Sequence, residues 1–301
     1  MISLIIIFCA SIFFMGIVVR TKSLASGRKG PGILQPIKDI IKLLRKGTVF
    51  STTTSQLFKI APTVYFASVI MAILMLPHGH LPGIISFEGD FVMFAYILGM
   101  GKFLMIIAAL DTGSSFEGMG ASREALFSML IEPAFFIVMG SLALFTGHTS
   151  FYDIFSTLQF DSTISYLIGA LAAFVLLLVA MTENSRMPVD DPKTHLELTM
   201  IHEVMILDNS GFDLGIIMYA TPLKFVMYGA LITNFFIGGL PLQGSIPAFF
   251  FIQFVFALVV GLIESFMARF RMGHNPQFIF ILTSVSLMIF FGVLLLLGKF
   301  I

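Results

Sequence analysis

MISLIIIFCASIFFMGIVV (residues 1–19) runs straight into RTKSLASGRKGPGILQPIKDIIKLLRK (residues 20–46), and this junction decides the fold. Nineteen residues without a charge are enough to cross a bilayer as a helix. The basic stretch that follows is too polar to do so. The apolar segment has no basic residues before it and no small-residue cleavage pattern, so it reads as a retained helix and not as a leader peptide. The whole chain repeats the contrast. Hydrophobic residues make up 57% of 301 and charged residues 11%, with a mean hydropathy of +1.00. A water-soluble domain carries roughly a quarter charged residues. The expected class is therefore an all-α polytopic membrane protein, one integral domain over 1–301, with the lipid bilayer as its main solvent. The net charge is zero, and no nucleic-acid partner is expected.

Eight spans fit near 1–19, 60–77, 91–110, 125–146, 164–182, 223–240, 247–267 and 277–298. No internal repeat is evident, which argues against an inverted-repeat carrier. Cationic residues fall on alternate connections: Arg20, Lys22, Arg28, Lys29, Lys38, Lys42, Arg45, Lys46 and Lys59 after the first span, Arg123 after the third, Arg186 and Lys193 after the fifth, and Arg269 and Arg271 after the seventh. Lys224 stands at the start of the sixth. The connections 78–90, 147–163 and 241–246 contain neither Lys nor Arg. The positive-inside rule then places the rich loops in the cytoplasm and both termini outside. The cytoplasmic segments 20–59 and 183–222 are also the long ones, which marks them as the working, partner-docking face.

Four ionisable residues fall where lipid is expected: Lys102 near the centre of span three, Glu132 about two turns into span four, Glu183 ending span five, and Glu264 late in span seven. Such residues normally face a bundle interior or water and mark ion pathways. The alternative for terminal ones is snorkelling to the headgroups. Segment 183–213 adds Asp190, Asp191, Glu197, Glu203, Asp208 and Asp213. Asp191-Pro192 is a helix-start signal, and a helix from there to about Leu207 would align His195, Thr199 and His202 in one polar stripe with Glu203 at its margin. Ile37, Ile40, Ile41 and Leu44, with Lys38, Lys42 and Arg45 opposite, predict a basic amphipathic helix on the membrane face. It is either a lipid anchor or a cover over a cytoplasmic chamber.

No metal site is expected. His202-Glu203-Val204-Met205-Ile206 begins like the zinc-protease motif HExxH and lacks its second histidine. His78 and His80 form a pair without a further ligand. The single cysteine, Cys9, cannot build a disulfide or a four-cysteine iron–sulfur site, so any redox metal belongs to a partner.

Several motifs, in order, give a resemblance. Gly30-Pro31-Gly32-Ile33-Leu34-Gln35-Pro36 followed by Asp39 and Lys42, Arg123 with Glu132, Glu183-Asn184-Ser185-Arg186 followed by Pro188 and Asp190, Ser210-Gly211, and Arg269-Phe270-Arg271 resemble the membrane subunit shared by respiratory complex I (its subunit 1) and energy-converting [NiFe] hydrogenases. Lys193 and His195 stand where complex I is expected to be acidic, Glu264 where it is basic, and the stretch between Leu198 and Ser210 is about three residues longer. The runs 195–203 and 118–125 look like the hydrogenase branch, nearest to formate hydrogenlyase and hydrogenase-4 type subunits. The resemblance implies a non-catalytic subunit of an oxidoreductase complex in a prokaryotic plasma membrane, without a cofactor of its own. Its partners would be a [NiFe] large subunit, an iron–sulfur small subunit and antiporter-like membrane subunits. It implies a relay through Lys102, Glu132, Glu183, Asp190, Asp191, Glu197, Glu203, Asp208 and Glu264. Docking would involve Arg28, Gly30, Pro31, Gln35, Asp39, Lys42, Arg123, Arg186, Arg269 and Arg271. A quinone-chamber subunit of complex I and a stand-alone transporter built on Lys102 and Glu132 remain as alternatives.

Overall fold

The computed structural model of the chain describes residues 2–158, 163–190, 200–238 and 240–298. Eleven α-helices occur among them: α1 Ile2–Ala25, α2 Gln35–Leu44, α3 Gln56–Met75, α4 Asp90–Asp111, α5 Ser115–Thr146, α6 Phe151–Thr157, α7 Thr163–Glu183, α8 His202–Met205, α9 Gly211–Ile237, α10 Leu242–Phe266 and α11 Asn275–Leu296. Eight of these, all but α2, α6 and α8, are long and apolar enough to cross a membrane. The chain is an all-α polytopic membrane protein. Backbone polar groups have no water partners inside a bilayer, so each span must satisfy its own, which only a helix does.

Six spans start and end within six residues of their hydropathy limits, the largest overrun being α1, which continues to Ala25 and takes Arg20 and Lys22 onto the helix; two do not. α5 starts at Ser115, ten residues before the expected span, and α9 starts at Gly211, twelve residues early. Hydropathy reads their first turns as loop because they carry Glu117, Arg123, Glu124 and Asp213. These turns face inward: Glu117 is fully buried, with Oε1 accepting the Asp208 amide at 2.8 Å, and Glu124 faces Lys102 at 3.4 Å. The 183–222 connection is therefore shorter than expected, and Arg123 lies on a helix. Lys224 lies mid-helix, 2% exposed, and does not count as a loop cation.

The helix expected to run to Leu207 is not continuous. Met200 and Ile201 are non-helical, and only the four-residue α8 follows. Asp190 Oδ2 takes up the free amides of Ile201 (3.3 Å) and His202 (3.1 Å), a side-chain cap that starts a new short helix there. Asp191, Lys193, His195, Glu197 and Thr199 lie outside the described residues.

α9 is the hub, packed by α1, α2, α3, α7 and α10 and buried along most of its length. Pairs α3–α4, α5–α11 and α1–α10 complete the bundle. Large apolar side chains such as Met129 and Phe266 point outward, as suits a surface solvated by lipid. α2 begins with Pro36 in its first turn, where the missing N–H costs nothing, and lies against α9 with Ile40 inward and Lys38, Lys42 and Arg45 outward. Its exit is strapped down. Ser210 Oγ accepts from Val49 N (2.9 Å) and donates to Val49 O (3.1 Å). Gly211, at φ +53°, lies so near the Gly47 carbonyl that a Cβ would sit 2.0 Å from its oxygen.

Candidate functional site

Five helices deliver ionisable or hydroxyl groups to one point inside the bundle. Lys102 of α4 donates to Glu183 Oε1 (2.7 Å) and to Ser128 Oγ (3.0 Å), and its Nζ is 3.4 Å from Glu124 Oε1. Glu124 and Ser128 are one turn apart on α5, so they share a face. Glu183, the last residue of α7, offers its second oxygen to Lys224 of α9 (3.1 Å), which also donates to the Glu183 carbonyl (2.8 Å). The Lys224 ammonium stands 5.8 Å from the centre of the Tyr65 ring of α3. Two ammonium groups therefore face two carboxylates. Isolated, each would carry a desolvation cost of several kcal/mol, and pairing with added hydrogen bonds offsets it. One carboxylate bridging two cations makes Glu183 the centre of the cluster.

Small cavities, each lined in part by ionisable or hydroxyl groups, flank this quartet. One of about 10 Å³ is shared by Tyr65, Lys102, Glu124, Glu183, His202 and Lys224. Another of about 30 Å³ runs from Lys102 and Glu183 past Tyr228 to Glu132. Spaces of this size hold a water molecule or two when polar groups line them. On the other side, His202 also lines a chamber of about 270 Å³. Its walls are Met15 and Val19 of α1, Gln35, Asp39, Ile40 and Leu43 of α2, Ser185 and Arg186 after α7, Glu203, and Met218 and Pro222 of α9. Between lipid anchor and cover, α2 is thus the cover. Burial pushes the His202 imidazole below the usual histidine range; Glu124 raises it, and Lys224 and Lys102 depress it further. This imidazole stands between chamber and quartet, where one ring nitrogen can accept a proton and the other donate one.

The structure separates the sequence candidates into groups. Lys102 and Glu183 are at the centre, and Glu203 lines the chamber. Glu132 is not in a buried chain: its side chain is exposed on the flank of α5, at the outer end of the 30 Å³ cavity. Glu264 is a clamp. It accepts from Arg186 Nη1 (3.1 Å), and its other oxygen lies 3.7 Å from Lys22. Asp190 is likewise bound to Arg269 (2.8 Å) as well as capping α8. Arg186 is 6% exposed and faces the interior, and Arg123 is turned in to the Met200 carbonyl (2.9 Å). Arg28, Pro31, Asp39, Lys42, Asp208 and Arg271 are exposed, and Gln35 and Gly30 partly so.

Sequence reasoning missed Glu124, Lys224, Tyr65 and Tyr228 as site members. Lys224 carried a usable signal: the residues before it, back across Pro222, are apolar enough to continue the helix, which moves the lysine from the span's edge to its interior. Glu124 carried none, because its partner lies on another helix.

A profile of the NADH dehydrogenase family matches residues 1–295. Formate hydrogenlyase subunit 4 of Escherichia coli (strain K12) is 27% identical over 288 residues, 92% of each chain. Hydrogenase-4 component C of the same organism is 30% identical over 224 residues, 74% of this chain and 70% of its own length. A subunit of the NADH-quinone oxidoreductase of Anoxybacillus flavithermus (strain DSM 21510 / WK1) is 27% identical over 262 residues, 83% of this chain and 77% of its own. Among solved structures, a chain of the membrane-bound sulfane sulfur reductase, an archaeal respiratory membrane complex, superposes with a TM-score of 0.80 at 21% identity, covering 97% of this chain and 98% of that one. That likeness concerns the fold. With the family profile running almost from end to end, as the resemblance in the loop motifs led us to expect, the chain belongs to the NADH dehydrogenase family.

Proposed function

We propose that this chain is the membrane-anchoring, proton-pathway subunit of a membrane-bound [NiFe]-hydrogenase complex of the formate hydrogenlyase type. The observation that carries the reading is the succession of spaces, each lined in part by ionisable or hydroxyl groups, from the largely apolar chamber under α2, through His202, to the Lys102–Glu183–Lys224–Glu124 quartet and out to Glu132. Such a succession is what proton transfer by side chains and single waters needs, and an anchor alone needs none of it. The names of two relatives, formate hydrogenlyase subunit 4 and hydrogenase-4 component C, supply the branch. Partner subunits, with the [NiFe] centre and iron–sulfur clusters, would dock on the cytoplasmic face around Arg28, Pro31, Asp39, Lys42 and Arg271. Both termini would lie outside. Glu132, exposed about 21 Å along the helix from the end of α5, is unfavourable against lipid by at least ~2.5 kcal/mol. An antiporter-like membrane subunit covering it removes that cost and continues the pathway.

A second reading, a quinone-chamber subunit of a complex I-type enzyme, is favoured by the 270 Å³ chamber itself. One preparation separates the two. A tagged chain purified gently with its partners is expected to bring nickel and hydrogen evolution. A nickel-free assembly that reduces quinone establishes the second reading instead. In the hydrogenase case, Glu132→Gln is expected to keep hydrogen evolution and lose coupled ion transport; unchanged transport removes Glu132 from the pathway.

A further inference from the structure

On the face that carries no Lys or Arg in its connections, Glu88, His148 and Asp153 bring one oxygen, one imidazole nitrogen and one oxygen within 4.8 Å of one another. Glu88 belongs to the α3–α4 connection, His148 to the α5–α6 connection, and Asp153 to the first turn of α6. The two Glu88 oxygens have different tasks. Oε2 accepts from the Thr149 amide (3.0 Å) and from the Thr149 hydroxyl, while Oε1 faces His148 Nδ1 at 4.0 Å. The carboxylate is thus oriented by one oxygen and presents the other.

The ground beneath is stiff. Gly89 N donates to Thr149 O (3.2 Å), and buried Asp90 accepts from Phe151 N (2.7 Å) and Ser150 Oγ (3.1 Å). Two connections that are 60 residues apart are therefore held in register before any ligand arrives. Two carboxylates with a neutral imidazole balance a dication, and connections 78–90 and 147–163 offer no Lys or Arg to compete for them. An imidazole among the donors favours first-row transition metals over calcium or magnesium, which take oxygen alone.

We propose that Glu88, His148 and Asp153 form a binding site for a transition-metal dication of the Zn²⁺ class. Ligand atoms about 2.0–2.2 Å from such an ion require the three donors to close inward from their present spacing. Glu88 and His148, with side chains 63% and 45% exposed, are unobstructed enough to do so. Three protein ligands leave at least one coordination position for water. The ion would staple the two connections along the seam that Asp90 already closes.

The test is Zn²⁺ titration of the intact purified complex after chelator treatment, comparing wild type with single variants. Wild type is expected to bind one Zn²⁺ equivalent more than His148→Ala, with Asp153→Asn weakened and His80→Ala unchanged. Thr149→Val, which removes only the orienting hydroxyl, is expected to lower affinity about tenfold. X-ray absorption at the zinc edge is expected to show nitrogen and oxygen ligands and no sulfur. Equal binding by wild type and His148→Ala overturns the proposal, as does ready displacement of the ion by Ca²⁺. Should His148→Ala perturb folding, Thr149→Val still decides: unchanged affinity there contradicts the oriented-carboxylate site.

Discussion

Glu183 does at residue scale what no other side chain among the described residues does: it gives one oxygen to each of two lysines on different helices. Glu183→Gln would leave Lys102 with the 3.4 Å contact to Glu124 and Lys224 with backbone and ring contacts. Removing one partner of a buried ion pair costs about 3–5 kcal/mol, so the purified complex should melt several degrees lower. Glu132→Gln keeps the side chain's shape at the edge of the bundle and is the contrasting variant; it should lower the melting temperature by less than Glu183→Gln does. His202 sets a pH dependence. Its folded-state pKa lies below the ordinary value of 6.5, so on acidification the unfolded chain takes up this proton first. Stability should fall as pH drops through about 6.5 and stop falling, for this group, below the folded-state pKa. Melting curves between pH 7.5 and 5.5 should be flatter in His202→Gln than in wild type. Of these residues, Lys102 and Glu183 were legible in the sequence because a charge within an apolar run is conspicuous. Lys224 was legible only once the helix is continued back across Pro222, and Glu124 was not, since it belongs to the site through Lys102 of another helix.

Among the elements, apolar length is what the sequence shows well, and six spans follow from it. The misread starts of α5 and α9 have one cause: hydropathy treats a charged first turn as solvated, whereas these helices pack against α8 and α2. α2 itself was legible as an amphipathic helix, but its role depends on what lies beneath it. That role makes the strap at its exit important. Gly211→Ala would place a Cβ 2.0 Å from the Gly47 oxygen at φ +53°, and a left-handed alanine alone is unfavourable by ~1 kcal/mol or more. Because the obstacle is backbone, the 45–50 segment must lift. Limited proteolysis is expected to cut that segment faster in Gly211→Ala, with spans α3–α7 still intact. Equal cutting rates would mean that α2 is held from its inner face alone.

For the molecule as a whole, charge asymmetry predicts an orientation that labelling can read. Cys9 is the one native thiol, so Cys9→Ser gives a clean background for single cysteines. A membrane-impermeant thiol reagent added to intact cells should label His80→Cys and leave Lys42→Cys unlabelled until the cells are opened. The opposite pattern would invert the molecule and move the chamber to the other side. The ties between the chamber rim and the last two spans also have a consequence for motion. Arg186 holds Glu264, Asp190 holds Arg269, the Pro188 carbonyl accepts from Phe270 N (3.0 Å), and the Val189 carbonyl accepts from the Asn275 side chain (3.1 Å). Four fastenings over five residues bind the rim to the α10–α11 corner. That edge of the chamber is thereby a fixed wall, and any change in the chamber's width falls to the α2 side.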